Sequence, residues 1–592
     1  MNIYEVLNKI ITETHYYSMS NLFTEEDRET LEEQDAILFD LLKNISSLRI
    51  AIDNGSITFH PKLTFIDGSR TFGIEDITEN DFHLLTSIEL EKLPLPLKAL
   101  LSDVLWSQRK NYGASQIAVH SYWEIFQLLY ESKKYNQALN PLKRAVCISI
   151  QTNSQSIYSV IYEWFCNQFI CNVVNVDVFC SLRIMELFFD QKNTDFSLIV
   201  SAADSIISKN NNNPLAVEQA YELKTKCLFK MKKKDEATGS NLALAQYYYD
   251  YAEGMQNSDA FRSVSFLQKS IILFRNNGDT SHAENAHRKL IDVQKQIPKN
   301  MHIFRTQFDL TKAIENIKIN LDGLSFEECI IRLTQYIGFE PIDILKKKII
   351  DECAMDPLAS IFETHVLDTQ GRTIVKLAPL DDKEPEKDPN LLELYMFQYS
   401  LKEQRSIGDL WIKNILQYIR SNFSIDNSMI DFIVNSNCII PEGRETIFQK
   451  GIGKFLRGEY YEAMHILAPQ MENLFRNIAN EVGGLTSTLS DDGLSQEKVL
   501  SSVFTLPELL DAYNSNIIFA FRGLLNEQAG ANIRNRIAHG IIEESECSSG
   551  ECLFFGALVI KFLLLTSPVY YKIIHSMKKL IQPNDDDIKI IK

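Results

Sequence analysis

The sequence lacks the short motifs that mark the commonest catalytic sites. It has no G-x-x-x-x-G-K phosphate loop, no H-E-x-x-H zinc motif and no G-x-S-x-G nucleophile turn. Nucleotide hydrolysis, zinc proteolysis and ordinary serine hydrolysis are therefore disfavoured.

Cysteine is scarce and scattered. The closest pairs among the 10 cysteines, Cys166/Cys171 and Cys547/Cys552, have no second Cys or His pair nearby. This spacing indicates neither a zinc site nor a disulfide framework. We expect reduced thiols in a cytoplasmic protein, with no metal and no cofactor.

Basic charge is also low. Lys and Arg number 60 against 78 Asp and Glu, which gives a net charge of −18. Residues 451–592 are likewise acidic, with 13 basic against 17 acidic side chains. Because broad attraction to a polyanion needs many Lys and Arg contacts, any contact with nucleic acid must be local and built from a few placed residues.

Long apolar runs are few, and one of them approaches membrane-spanning length. Residues 552–571 are strongly apolar, but Lys561 lies near the middle and Pro568 near the end. A buried helix of a bundle explains this segment better than a membrane span. The N-terminal residues lack the basic flank and apolar core of a secretory signal, so we expect no export and no membrane contact.

The length of 592 residues predicts several domains. Hydrophobic and charged residues, at 45% and 23%, are in the range of folded globular proteins. We predict a mainly α fold with small β-hairpins and a helical-repeat-like middle. The predicted parts are an N-terminal α+β domain (1–125), a tetratricopeptide-like helical domain (126–300), a helical connector with a hairpin and a charged linker (301–439), and a C-terminal helical bundle (440–592).

Hydrophobic periodicity and turn residues predict helices and hairpins in the N-terminal domain and in the connector. Residues 31–52 have helical spacing, and residues 57–77 alternate around Asp67-Gly68, which predicts a hairpin. Two β-branched runs within residues 364–379 predict a second hairpin. The proline-punctuated charged stretch 381–390 is typical of an exposed linker.

The middle of the chain has the pattern of helix pairs. Residues 131–150 have the aromatic, alanine and leucine spacing of a tetratricopeptide-like pair. Residues 216–231, 240–255 and 259–274 are amphipathic, with polar breaks between them. No strict repeat period emerges, so a general helical domain is the alternative.

The segment RNRIAHG, residues 534–540, contains the candidate catalytic residues. Arg534, Asn535 and His539 form an R-N-x-x-x-H pattern. A guanidinium can hold a phosphate bidentately, an imidazole can exchange a proton near neutral pH, and Asn535 can fix an oxygen. This set suits RNA cleavage by the ribose 2′-hydroxyl without a metal. The alternative is a charge pair that caps a helix end.

The chain contains a second copy of the loose pattern in Arg275, Asn276 and His282. This copy falls in a polar turn between predicted helices, and we interpret it as chance. The C-terminal copy differs because Gly540, a helix-stop residue, and then a long apolar helix follow it.

A neighbouring helix, residues 459–484, adds possible partners. A period of 3.6 residues puts His465, Glu472 and Arg476 within about 40° of one another, so they form one polar stripe. The alternative is an ordinary i, i+4 salt bridge between Glu472 and Arg476, with His465 hydrogen-bonded inside the bundle.

Residues 534–540, preceded by a helix with Pro469-Gln470 and Glu472, resemble the HEPN superfamily. Within it, the chain is similar to the family that includes the endoplasmic-reticulum membrane-associated RNA degradation protein and bacterial relatives. The resemblance is strongest over residues 440–591. It implies a helical, often dimeric, metal-independent ribonuclease domain. Arg534 and His539 would be catalytic, with Asn535 as the polar position and Glu472 as the acidic position.

Within that resemblance, Arg536 could take the role assigned to Arg534. The leading hypothesis is a cytoplasmic endoribonuclease that leaves a 2′,3′-cyclic phosphate and acts in bacterial antiphage defence or as a toxin. It would form a homodimer through its C-terminal domain, and the helical middle would bind a protein partner or trigger. The alternatives are a noncatalytic interaction or scaffold protein, and a HEPN partner that a nucleotidyltransferase modifies.

Overall fold

The computed structural model describes residues 2–12, 16, 19–53, 56–65, 68–191, 193–301, 309–355, 361–380, 385–570 and 573. The chain divides into two compact units, Met1–Val293 and Gln294–Lys592. Helices dominate both units, and the described strands form three two-stranded antiparallel sheets. The predicted mainly α fold with small hairpins is confirmed, whereas the finer division into four parts stays a prediction.

The first unit begins with a helical and hairpin region and continues as a series of helices. Its elements are α1 (Ile3–Ile10), α2 (Glu25–Glu29), α3 (Glu33–Ser46), β1 (Arg49–Asp53), β2 (Ser56–His60), α4 (Glu79–Thr86), α5 (Leu95–Arg109), α6 (Tyr112–Glu131), α7 (Tyr135–Gln151), α8 (Gln155–Trp164), α9 (Ile170–Asn172), α10 (Val178–Phe189), α11 (Phe196–Lys209), α12 (Pro214–Lys230), α13 (Lys234–Met255), α14 (Ala260–Asn276) and α15 (Thr280–Gln294).

The turns that join these helices share one device. Lys133, Lys232 and Gly278 have positive φ angles of 59°, 62° and 83°. In each turn the next residue donates its N–H to the carbonyl five residues earlier, at 2.9 Å in all three cases. This left-handed cap ends one helix and reverses the chain, so that α6 packs against α7 and α12 packs against α13. The three predicted amphipathic helices are confirmed as α12, α13 and α14, which fits a helical repeat.

The first predicted hairpin is present only as a short antiparallel turn around Gly68, and the hairpin just before it was not predicted. Strand β1 pairs with β2, with Ile52 opposite Ile57, so the helical prediction for residues 31–52 holds only as far as Ser46. Near Gly68 the described residues contain an isolated bridge, and Asp67 lies outside them. The sequence between β1 and β2 is Asn54-Gly55, a two-residue hairpin signal of the same kind as the Asp-Gly further on.

The second unit places a long series of helices around one apolar helix. Its elements are α16 (Ile297–Asn300), α17 (Thr311–Leu321), α18 (Phe326–Gln335), α19 (Ile342–Met355), β3 (Thr364–Leu367), β4 (Thr373–Leu377), α20 (Pro389–Ile407), α21 (Lys413–Asn422), α22 (Asp431–Val434), α23 (Glu445–Arg457), α24 (Tyr460–Glu481), β5 (Ser487–Leu489), β6 (Ser495–Glu497), α25 (Leu500–Val503), α26 (Pro507–Ala512), α27 (Ser515–Leu525), α28 (Ile533–Ala538) and α29 (Gly550–Leu565).

Helix α29 is the centre of this unit. All its side chains are buried, and they pack in a core shared with α18, α23, α24 and α27. The predicted core helix is therefore confirmed. Lys561 is tolerated inside because its Nζ donates to the Ile337 carbonyl at 2.7 Å and lies 5.6 Å from the Phe339 ring centroid. Within the described ranges, every helix is too short or too polar to cross a bilayer.

The predicted hairpin within residues 364–379 is confirmed as β3 and β4. The strands pair antiparallel, and the register shifts at Leu367, which lies opposite Thr373. The charged linker prediction falls partly outside the described residues, because residues 381–384 are not among them. Helix α20 begins within that stretch, at Pro389, with Asp388 accepting from the Leu391 N–H as N-cap.

Two glycines bring α20 and α29 into backbone contact. A Cβ on Gly550 would overlap the carbonyl of Arg405, and a Cβ on Gly408 would overlap the carbonyl of Gly550. The two chain segments approach this closely because neither glycine has a side chain. Arg405 and Glu551, which lie beside this crossing, are thereby brought within hydrogen-bonding distance.

We expect Gly550→Ala to lower the free energy of unfolding by about 1–3 kcal/mol or more, because the new methyl group has no space beside a backbone carbonyl. Gly338→Ala is the matched control in the same unit, since a Cβ there would meet no atom within 4 Å. Urea unfolding followed by circular dichroism measures both. Equal stability of the two variants would contradict the close crossing.

Candidate functional site

A cavity of about 710 Å³ in the second unit is lined by the candidate catalytic residues of the segment 534–540. Five parts of the chain form its wall: the β3–β4 hairpin, α20, the start of α25, the loop between α27 and α28, and the segment from α28 to the start of α29. Arg534, Asn535, Arg536 and His539 all line it. In total, four arginines and three carboxylates line the cavity: Arg372, Arg405, Arg534, Arg536, Asp368, Glu546 and Glu551.

Arg534 is held in place by Glu472 of α24. Its Nε donates to Glu472 Oε2 at 2.5 Å and its Nη2 to Oε1 at 3.2 Å, while Nη1 donates to Asn535 Oδ1 at 2.8 Å. Three of the five guanidinium N–H groups are thus engaged by described residues. The remaining two belong to Nη1 and Nη2, at the end of a side chain that is 30% exposed. They can donate to an anion in the cavity.

Asn535 connects Arg534 to the loop before α28. Its Nδ2 donates to Asn532 Oδ1 at 2.8 Å and to the Asn526 carbonyl at 3.3 Å. Asn532 itself has a left-handed backbone with φ of 52°. The amide therefore orients the guanidinium on one side and fixes the loop on the other, which makes Asn535 a positioning residue.

His539 lies at the C-terminal end of α28. Its backbone N–H donates to the Asn535 carbonyl at 3.0 Å, and Gly540 follows with φ of 64°. The Ile541 N–H then donates to the Arg536 carbonyl at 2.8 Å, so the predicted helix stop at Gly540 is confirmed. The imidazole is exposed and accepts or donates no hydrogen bond among the described residues. It is accessible for proton transfer to a bound molecule.

Arg536 also lines the cavity, with a carboxylate partner of its own. Its Nη2 donates to Oε1 of Glu546, whose other oxygen accepts from the Glu543 N–H at 2.9 Å. Arg534 and Arg536 therefore have separate partners, Glu472 and Glu546. This division leaves both guanidinium groups on the cavity wall.

The polar stripe predicted on α24 is only partly assembled. Arg476 shares Glu472 Oε1 at 3.0 Å and also donates to the Lys498 carbonyl at 3.0 Å, so it supports Glu472 from outside the cavity. His465 does not join them. Its Nδ1 lies 2.8 Å from the Tyr461 carbonyl, and its ring centroid lies 4.1 Å from that of Tyr461.

Two cavity arginines were missed from the sequence. Arg405 of α20 donates through Nε and Nη2 to Glu551, both at 2.9 Å. The hydrogen bond to Glu551 raises the pKa of Arg405. Burial acts to raise the pKa of Glu551, but the bond from the Arg405 guanidinium outweighs burial and lowers the pKa of Glu551 below its ordinary value. Arg372, in the turn just before β4, is the other. Local pattern gave no signal for Arg405, whereas Arg372 follows the predicted hairpin turn.

Nearby thiols do not offer a nucleophile. Burial raises the pKa of Cys547 to about 11 and that of Cys552 to about 12, so both are neutral at physiological pH. Among the residues that the structure describes, no three His, Cys, Asp or Glu side chains are grouped to hold a metal ion. The polar side-chain groups that line the cavity are guanidinium, carboxylate, amide, imidazole and the hydroxyls of Thr369 and Ser501.

The second copy of the pattern has a different setting. His282 accepts or donates at 2.8 Å to Asp279 and stacks on Phe274, with 5.4 Å between ring centroids. Asp279 also accepts the His282 N–H at 3.1 Å at the start of α15. This is a helix-capping arrangement.

A family model described as "Domain of unknown function (DUF7380)" matches residues 1–157. This stretch covers α1 to α7 and ends within α8. No curated protein and no solved structure matches the chain.

Proposed function

We propose that the cavity around Arg534 and His539 cleaves RNA without a metal, by attack of a ribose 2′-hydroxyl on the adjacent phosphate. The observation that carries this proposal is that Arg534, Asn535 and His539 line one solvent-accessible cavity, with Arg534 fixed by Glu472. The HEPN resemblance of residues 440–591 agrees with it.

The chemistry assigns a separate task to each side chain. His539 takes the proton of the 2′-hydroxyl, O2′ attacks phosphorus, and the bond to the 5′-oxygen breaks. The leaving 5′-oxygen takes up a proton from solvent water, and the products are a 2′,3′-cyclic phosphate and a 5′-hydroxyl. The two remaining N–H groups of Arg534 balance the charge that builds on the phosphoryl oxygens. Asn535 holds the Arg534 guanidinium in this orientation through its hydrogen bond to Nη1.

An acidic chain can support this reaction because the required charge is local. The lining places four arginines in one cavity, each held by a carboxylate. Pairing restrains each guanidinium and leaves N–H groups for the phosphate. We therefore expect contact with a short stretch of RNA rather than with a long backbone.

The test is incubation of the purified protein with RNA in excess EDTA, followed by analysis of the new RNA ends. We expect cleavage that survives chelation, with 2′,3′-cyclic phosphate and 5′-hydroxyl ends. Arg534→Ala and His539→Ala should both lower its rate by about 10²-fold or more, while their melting temperatures stay near that of the parent. Full cleavage by both variants would reject the assignment.

The same proposal places the protein among bacterial antiphage or toxin effectors that act as homodimers, with a trigger on the helical middle. Expression of the parent chain should then arrest growth of a bacterial host, and His539→Ala should relieve the arrest. Equal toxicity of the two chains would separate the growth effect from RNA cleavage.

A noncatalytic interaction protein is the second candidate, and the β5–β6 hairpin favours it. Leu485, Leu489 and Leu494 are 74%, 74% and 61% exposed in this short hairpin. Such an apolar surface is typical of protein contacts. This candidate predicts no RNA cleavage at any protein concentration, together with loss of a protein contact when the three leucines are changed to serine.

A further inference from the structure

We infer that Arg372 of the β3–β4 hairpin is a second phosphate-binding residue of the cavity, which holds an RNA phosphate next to the one that is cleaved. This inference rests on the proposed function for its ligand, but it adds a subsite from a part of the chain outside residues 440–592. The ligand of this subsite is an oxyanion, and we assign it to a phosphate of the RNA backbone.

Hydrogen bonds within the hairpin turn restrict the orientation of the Arg372 side chain. Asp368 Oδ1 accepts the N–H groups of Gln370 at 2.9 Å and Arg372 at 2.8 Å. Its other oxygen accepts from Arg372 Nε at 2.6 Å. One carboxylate therefore fixes both the backbone of the turn and the base of the guanidinium.

The turn is also fixed from outside the hairpin. Gly371 has φ of 75° and is buried, and a Cβ there would overlap the Gln294 carbonyl and lie 3.0 Å from Pro298 Cδ. The turn therefore packs directly on Gln294 and on Pro298 at the start of α16. A rigid turn restricts the guanidinium before any ligand arrives, which lowers the entropy lost on binding.

The binding end of Arg372 remains available. Neither Nη1 nor Nη2 makes a hydrogen bond with any described residue, although the side chain lines the same cavity as Arg534 and His539. The side chain is 45% exposed. The four N–H groups on these two nitrogens form the fork that recognises phosphate oxygens.

Arg534 and Arg372 differ in how they are restrained, and this difference separates their roles. Arg534 is bound through three N–H groups, so it contributes a fixed charge at the reacting position. Arg372 is bound through Nε alone and has a more open end. We therefore expect Arg372 to contribute to binding and KM, and Arg534 to contribute to kcat.

The experiment measures binding of a fluorescein-labelled RNA pentanucleotide by anisotropy, over a range of salt concentrations. His539→Ala is the background, so that the RNA stays intact. Adding Arg372→Gln should raise Kd about tenfold and reduce the slope of log K against log salt by about 0.7, the value for one lost phosphate contact on a single strand. Arg372→Lys should restore the salt slope, because it restores the charge.

Lys376→Gln is the matched control. Lys376 lies on β4 of the same hairpin, is 54% exposed and pairs with Glu363 at 3.6 Å, away from the cavity lining. The variant removes the same charge from the same hairpin. We expect its Kd and salt slope to equal those of the background.

The outcomes separate the subsite from the nuclease. Equal salt slopes for Arg372→Gln, Lys376→Gln and the background overturn the subsite, even where the parent chain cleaves RNA. A reduced slope for Arg372→Gln supports the subsite, even where the parent chain cuts no RNA and the nuclease proposal fails. Loss of the salt slope in Lys376→Gln as well would assign the effect to overall charge and overturn the inference.

Discussion

His539→Ala is expected to lower the rate of RNA cleavage by about 10²–10⁴-fold, the usual contribution of a general acid or base. The imidazole is exposed in the cavity at the end of α28, and a methyl group in its place can neither take nor give a proton. Because Arg534 and its partners are unchanged, the effect should fall on kcat and leave KM nearly constant. Initial rates in EDTA over a range of RNA concentrations measure both constants.

The chain supplies its own control for this result. His282→Ala removes the histidine of the second R-N…H copy, which is hydrogen-bonded to Asp279 at the start of α15. We expect unchanged cleavage and only a small loss of stability from the altered cap. An equal fall in kcat for both variants would show that the loss is not specific to the cavity.

Local features of the site were predictable because local signals encode them. The end of α28 follows from Gly540, which adopts the left-handed conformation that glycine prefers. The burial of α29 follows from a run of apolar side chains too continuous for a surface helix. The proximity of Arg534, Asn535 and His539 follows from their positions along the chain, because the first two lie on α28 and His539 caps its C-terminal end.

The partner of Arg534 was only half predictable. The helical period of α24 put Glu472 and Arg476 on one face, which favoured a salt bridge between them. That pair exists at 3.0 Å, but Glu472 also binds Arg534, which is 62 residues away. Spacing along a helix shows which side chains share a face, but it cannot show which other helix that face meets.

His465 illustrates the same limit in the other direction. It occupies the face predicted from the helical period, yet its ring lies against Tyr461 of its own helix.

Arg405 and Glu551 are 146 residues apart, and their contact depends on the glycine crossing of α20 and α29. No local sequence pattern connects such residues, so the place of Arg405 in the cavity wall could be found only from the tertiary structure.

Asp103→Ala should destabilise the first unit by about 3–5 kcal/mol, the usual effect of breaking a buried ion pair. Asp103 and Arg144 are 0% and 1% exposed and form a bidentate pair between α5 and α7. Asp103 also accepts from Tyr122 at 3.1 Å and from Ser107 at 3.0 Å. Burial lowers the pKa of Arg144, but its bond to Asp103 brings the value above the ordinary one. Removal of the carboxylate therefore leaves a charged guanidinium without its partner.

Urea unfolding measures this loss, and tryptophan fluorescence reports mainly on the first unit, because three of the four tryptophans, Trp106, Trp123 and Trp164, lie in it and only Trp411 lies in the second. Asp204→Ala is the control: it removes a partly exposed carboxylate 2.6 Å from Lys224 and should cost about 0.2–1 kcal/mol. The double variant Asp103→Leu/Arg144→Met should be more stable than Asp103→Ala, since no uncompensated charge stays buried. A double variant less stable than Asp103→Ala would mean that lost packing, and not the unpaired charge, accounts for the effect.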